Sequence, residues 1–178
     1  PGAKLIAEGT ADEPIVFTSQ APEGQKRAGD WGGLVLLGKA PVNIPGGKGN
    51  IEGILKTVSG TEYGGSDPND SSGVLKYVRV EYAGVVLSQD NEVNGITFGG
   101  VGAGTTVDFV QVRMALDDCF EFFGGTVNAK HLVCQWNQDD GFDFDNGYQG
   151  KLQYLVLQQD PAHVGEDNGF ESDNDANG

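Results

Sequence analysis

The sequence predicts an all-β chain wound as a parallel β-helix, a solenoid whose rungs repeat about every 22 residues. Three observations lead there. Glycine makes up 29 of 178 residues, more than twice the usual share of about 7%. Each interior glycine costs a helix about 1 kcal/mol relative to Ala, so long helices are disfavoured. One line of text then recurs: Asp117-Asp118-Cys119-Phe120-Glu121-Phe122, Asp139-Asp140-Gly141-Phe142-Asp143-Phe144 and Asp167-Asn168-Gly169-Phe170-Glu171-Ser172, with a weaker copy in Asn94-Gly95-Ile96-Thr97-Phe98. With Ile96, Phe120, Phe142 and Phe170 as equivalents, the steps are 24, 22 and 28 residues. A second line recurs between the copies: Val78-Arg79-Val80-Glu81, Val110-Gln111-Val112-Arg113, Leu132-Val133-Cys134-Gln135 and Leu155-Val156-Leu157-Gln158, at steps of 32, 22 and 23. Finally, apolar and polar residues alternate with period two inside each repeat, as half-buried strands require. Leucine-rich repeats share the period but need a Leu/Asn consensus that is absent.

Taken in order, Lys4-Leu5-Ile6-Ala7, Pro14-Ile15-Val16-Phe17-Thr18 and Gly33-Leu34-Val35-Leu36-Leu37 are strand candidates of an N-terminal third that fits the plan less cleanly. Residues 39–73 read as a loop excursion from one rung. They carry the turn text Ile44-Pro45-Gly46-Gly47-Lys48-Gly49 and Gly64-Gly65-Ser66-Asp67-Pro68-Asn69-Asp70, with one strand near Asn50-Ile51-Glu52-Gly53. The recurring lines then supply the later rungs, and 1–178 reads as one β-helix domain. Pro1-Gly2-Ala3-Lys4 is not a signal peptide, so the chain reads as processed or as part of something longer. The acidic stretch from Glu171 to Gly178 is disordered by composition unless packing, a partner or a cation orders it.

Charge narrows the function. Acids number 26 and bases 11, a formal net charge of -15. A nucleic-acid partner needs a basic footprint, so that class is excluded, and anionic membrane surfaces are disfavoured. The longest apolar runs, Leu34–Leu37 and Tyr154–Leu157, are far too short to form a transmembrane helix.

Glu8-Gly9-Thr10-Ala11-Asp12-Glu13-Pro14-Ile15-Val16-Phe17-Thr18-Ser19 followed by Gly29-Asp30-Trp31-Gly32-Gly33-Leu34 resembles text from secreted bacterial β-helix proteins. So does Leu75-Lys76-Tyr77-Val78-Arg79-Val80-Glu81-Tyr82-Ala83-Gly84, and Asp117 to Asn128 is similar to a block in bacterial cell-surface proteins and lipoproteins. The resemblance covers most of the chain. It implies a right-handed parallel β-helix of pectin-lyase-like architecture, at a secreted or cell-surface location. It does not imply lyase activity, because many such surface proteins have no assigned reaction and a fold does not fix a function.

Stacking puts Glu121, Asp143 and Glu171 in one outward column, Asp145 and Asp173 in a second, and Asp117, Asp139 and Asp167 in a third. Like charges opposed across strands destabilise a sheet by tenths of a kcal/mol to about 1 kcal/mol each. Calcium is the natural counter-ion, since it takes six to eight oxygens and Asp/Asn/Gly-rich turns supply them. These eight acids are therefore the candidate metal ligands. The alternative is a solvated acidic face that keeps an edge-rich β protein soluble.

Cys119 and Cys134 fall on adjacent rungs, and a secreted context favours a disulfide over two buried thiols. His131 shares a column with Tyr77, Phe109 and Tyr154, which marks a stacked structural ring; His163 is a loop histidine beside acids. A calcium-assisted lyase needs a strong base beside its cation, and Arg79 and Arg113 are the candidates. Arg113 aligns with Glu81, which suggests a cross-rung ion pair. Phe123 and Tyr148 are the aromatics whose pattern points outward. The expectation is a non-catalytic extracellular structural or adhesive scaffold with calcium-stabilised turns. End-to-end stacking of rungs makes it a candidate homo-oligomer or filament subunit. The alternative is a polysaccharide-binding or polysaccharide-cleaving module.

Overall fold

A computed structural model describes residues 1–51, 54, 57–88, 91–162, 165 and 168–174. Among them there are strands and no helices. The first rung holds β1 (Leu5–Glu8), β2 (Ile15–Phe17) and β3 (Leu34–Leu37). The excursion holds a hairpin of β4 (Gly49–Asn50) and β5 (Glu62–Tyr63). The second rung runs through β6 (Gly73–Glu81), a hairpin of β7 (Val85–Ser88) and β8 (Asn91–Val93), and β9 (Ile96–Gly99). Three more follow: β10 (Thr106–Arg113) with β11 (Phe120–Phe123), β12 (Asn128–Gln135) with β13 (Phe142–Asp145), and β14 (Leu152–Gln158) with β15 (Phe170–Glu171).

Strands of successive rungs pair in parallel and form two sheets. The first runs β1, β6, β10, β12, β14, with β2 beside β1 on the same strand β6. The second runs β3, β9, β11, β13, β15. The chain alternates between the sheets as it climbs, and parallel crossovers of this kind are right-handed. The fold is a right-handed parallel β-helix. The register matches the sequence reading: Phe120 pairs with Ile96 and Phe142, and Phe142 with Phe170.

Side chains alternate in and out along each strand, so the inward positions stack into columns. Val78, Val110, Leu132 and Leu155 form one, and Val80, Val112, Cys134 and Leu157 another. On the second sheet the rings of Phe98 and Phe122 stack at 4.9 Å, and those of Phe120 and Phe142 at 5.4 Å. A solenoid buries its core only between neighbouring rungs, which is why the apolar identities repeat.

Three columns of left-handed residues turn the ribbon. Tyr77, Phe109, His131 and Tyr154 have φ of 50°, 53°, 52° and 63° in the middle of the first sheet's long strands and bend each into two arms. Tyr82, Met114 and Trp136 form the second corner, and Gly100, Gly124, Asn146 and Asn174 the third. At Gly124 a Cβ would also press on the Asn146 carbonyl oxygen, 2.7 Å away, so glycine suits that position twice over.

The excursion folds back as a flap. Asn43 N–H donates to the Asn146 carbonyl, and its side-chain amide to Asn174 Oδ1. Ile51 and Tyr63 pack on Phe123 in a small second core, with Tyr63 and Phe123 ring centres 5.9 Å apart. Phe123 faces outward from the sheet as its pattern predicts, but the excursion buries it. Tyr148 is also drawn in, packing on Phe122 and Phe144 and donating its hydroxyl to the Val127 carbonyl. The strand expected near 50–53 is β4 in its first residue; residues 52 and 53 lie outside the described set.

Candidate metal centre

The outer face of the second sheet carries the acidic column. Glu121 alternates with the inward rings of Phe120 and Phe122, and the register stacks it between Thr97 and Asp143, with Glu171 beyond. Just before these strands runs a column of Asx residues, Asn94, Asp118, Asp140 and Asn168. Asp118 Oδ1 accepts from the Asp140 N–H at 2.9 Å, and Asp140 Oδ1 accepts from the Asn168 N–H at 2.5 Å. Each short acid thus caps the rung above it, which explains why Asp140 and Asp118 are buried.

Two acidic triads meet at Asp118. Single carboxylate oxygens of Asp118, Glu121 and Asp143 all lie within 4.8 Å of one another, and so do those of Asp117, Asp118 and Asp139. The first triad is the enclosed one: Asp118 and Glu121 are each 8% exposed. Asn94 closes it, 3% exposed, with its amide nitrogen donating to Glu121 Oε2 and to Thr97 Oγ1. Asn94 Oδ1 and Asp143 Oδ1 are buried with no hydrogen-bond partner. A buried acceptor without a partner costs about 1–3 kcal/mol.

Electrostatics agree. Burial, with Asp117, Asp143 and Asp139 adding repulsion, pushes the Asp118 carboxyl up to about 9, against the pull of the Asp140 N–H. Burial likewise raises Asp143 to about 6. Glu171 rises to about 7, chiefly through its hydrogen bond with the Asp140 side chain and then through burial.

Of the eight sequence-predicted acids, the structure brings Glu121 and Asp143 together in one triad and Asp117 and Asp139 in the other. Asp145, Glu171 and Asp173 stand outside both triads, and Asp167 lies outside the described residues, as does His163. Sequence reasoning missed Asp118 and Asn94. The available signal was the doublet Asp-Asp at 117–118 and 139–140, in which the second acid turns inward to cap.

A model of the family described as pectate-lyase-like beta helix domain matches residues 1–178. The chain belongs to the pectate-lyase-like beta-helix family. No curated protein and no solved structure matches it. The Cys119–Cys134 disulfide is formed, with 5.7 Å between the Cα atoms, and ties β12 to the segment entering β11.

The arginines of this pectate-lyase-like helix stand apart from its acids. Arg79 is exposed and lines a groove of about 610 Å³ on the first sheet, along the bend marked by Tyr77, Phe109, His131 and Tyr154. Among the described residues no Asp or Glu lines that groove. Arg113 does not pair with Glu81, although the register sets them side by side. Its guanidinium lies 4.8 Å over the Trp136 ring and 6.0 Å from the Tyr82 ring, while Glu81 Oε2 accepts from the Thr18 hydroxyl. The weakly hydrated guanidinium finds flat faces at the left-handed corner, which outcompete a solvent-screened carboxylate.

Proposed function

We propose that this pectate-lyase-like module is a non-catalytic extracellular scaffold. The observation that carries the reading is the separation of Arg79, on the first sheet, from both acidic triads found among the described residues, on or beside the second. Calcium-assisted β-elimination needs cation and base around one sugar unit. The disulfide and the family's usual extracellular setting support the location. The rest of the chain is built for stacking: four rings in file, paired Phe columns and three corner ladders.

Assembly is part of the proposal. Among the described residues no strand pairs with the outer edge of β14, where Tyr154 is 59% exposed. A rung from a second copy would pair that edge and cover the ring. Sedimentation across a concentration series tests this, and a strictly monomeric species at high concentration would count against it.

The groove supports polysaccharide binding as a second reading. Its rings, however, face one another at 4.2 to 4.8 Å, so the inner ones offer edges rather than free faces to a sugar. Incubation with a polyuronate plus calcium, read by unsaturated product and by affinity electrophoresis, separates the readings. Neither product nor retardation is expected. Product formation overturns the scaffold reading, and retardation alone moves the chain to the polysaccharide-binding class.

A further inference from the structure

We infer that the groove along the bend of the first sheet binds a single-chain amphiphile with an anionic head, a medium-chain carboxylate. The head lies on Arg79 and the alkyl tail runs along the outer face of the later rungs. The inference does not depend on the scaffold reading.

Register fixes the layout. Arg79, Gln111, Val133 and Val156 succeed one another up one outward column, one residue per rung. The ring file of Tyr77, Phe109, His131 and Tyr154 stands two residues earlier on the same strands, and both columns line the one trough of about 610 Å³. Arg79 and Val156 are three rungs apart, roughly 14 Å at the spacing of paired strands. A saturated chain gains about 1.3 Å per carbon from bonds of about 1.5 Å, so about eleven carbons cover that span. Beyond Arg79 the trough is apolar. Gln111 gives its amide to Gln135 Oε1, and Phe109, Tyr154 and Val156 are exposed large hydrophobic side chains that a tail would cover.

Charge selects the head. The chain carries 26 acids against 11 bases, yet among the described residues the one fixed charge lining the trough is that of Arg79. Arg79 is exposed, and among the described residues no hydrogen bond or ion pair holds its guanidinium. Arg113, by contrast, is spent on the rings of Trp136 and Tyr82. A free guanidinium presents a planar fork that a carboxylate fills with two hydrogen bonds. Lys76, on the same strand, holds Nζ 5.9 Å from the centre of the Tyr77 ring and adds positive potential at that end. The body of the ligand follows from the rest of the lining. The stacked rings offer edges, and the valines offer no hydrogen bonds; an alkyl chain asks for neither faces nor donors, only for apolar cover.

The test titrates the whole chain by calorimetry with sodium dodecanoate below its micelle concentration. One saturable site is expected. Octanoate should bind at least about tenfold more weakly, because each methylene taken out of water adds to affinity. Arg79→Gln should weaken dodecanoate at least about tenfold. Val156→Asp puts a charge at the tail end and should weaken dodecanoate more than octanoate. Lys48→Gln removes an exposed cation from the excursion and should leave affinity within about twofold. Dodecyltrimethylammonium carries the same chain with the opposite charge and should bind at least about tenfold more weakly than dodecanoate. Absence of saturable heat overturns the site, and so does equal affinity in Arg79→Gln. Equal or tighter binding of the cationic amphiphile also overturns it, since that is the preference a net charge of -15 alone would give. Displacement of dodecanoate by an equal concentration of trigalacturonate would give the trough to sugar acids instead. Arg79 and Val156 are both exposed, so their variants keep the core intact, and circular dichroism checks that each is folded.

Discussion

The His131 ring lies 4.2 Å from the Phe109 ring and within 5° of parallel, in the middle of a file that continues to Tyr77 below and Tyr154 above. All four residues are left-handed, a conformation that costs an L-residue roughly 1–2 kcal/mol. Aromatic pairs return about 0.5–1.5 kcal/mol each, so the file offsets part of the strain it sits on. His131 also places Nδ1 2.8 Å from Asp108 Oδ1. His131→Ala removes two ring contacts and keeps the strain, and should destabilise the chain by about 1–3 kcal/mol in urea unfolding. His131→Tyr should recover most of that loss. Equal destabilisation by both would mean that the file does not stabilise the bend.

The disulfide is expected to matter as much as any core side chain. It closes a loop of sequence separation 15 between adjacent rungs. Loop-closure entropy sets its worth near 3 kcal/mol. Both sulfurs are fully buried, so the test replaces the pair by alanine rather than serine, which would strand two hydroxyls. Cys119→Ala with Cys134→Ala should lower the unfolding free energy by about 2–4 kcal/mol. A reducing agent should leave the double variant unchanged.

The file of rings and the cross-rung cysteines were legible in the sequence because a solenoid stacks like on like, and counting by rungs recovers the columns. What folds over a strand was not legible. Phe123 has the alternation of an outward residue, but Ile51 and Tyr63 arrive from the excursion to bury it, and nothing local to β11 announces them. Arg113 and Glu81 show the other limit. Their register is as counted, yet the contact goes to Trp136 and Tyr82, because the corner backbone turns those rings toward the guanidinium. At the acidic cluster the outward column was legible and the centre was not. Asp118 enters by capping the next rung, a backbone requirement that charge counting does not register.

Phe120 tests the stacking of the core itself. It is fully buried, pairs with Ile96 and Phe142 in register, and stacks on the Phe142 ring at 5.4 Å. Phe120→Ala should cost about 3–5 kcal/mol, since rungs fixed by their ladders cannot collapse into the cavity. Phe120→Leu should cost far less. Phe170→Ala, at an exposed position of the last described rung, should fall well below the Phe120 loss when both are measured by denaturant midpoint.

The acidic cluster gives the chelated chain an unusual pH dependence. Asp118 rises from an ordinary 3.8 to about 9 through burial and then through the charges of Asp117 and Asp143. Asp143 rises from 3.8 to about 6. Between the ordinary and the raised values the native chain holds protons that the unfolded chain has released. Stability must then fall as pH climbs, because the slope follows protons bound unfolded minus protons bound native. The Asp143 contribution is lost between pH 3.8 and about 6, and the Asp118 contribution continues to about 9. Urea midpoints in chelator should therefore decline across this window. Asp118→Asn keeps the acceptor for the Asp140 N–H but has no proton to lose, so it should flatten the decline above about pH 7, beyond the raised values of Asp143 and Glu171. Saturating calcium should flatten it as well, because a cation favours the ionised carboxylates that the metal-free fold resists. A midpoint that rises with pH in chelator would show that these carboxyls are ionised and compensated in the folded chain.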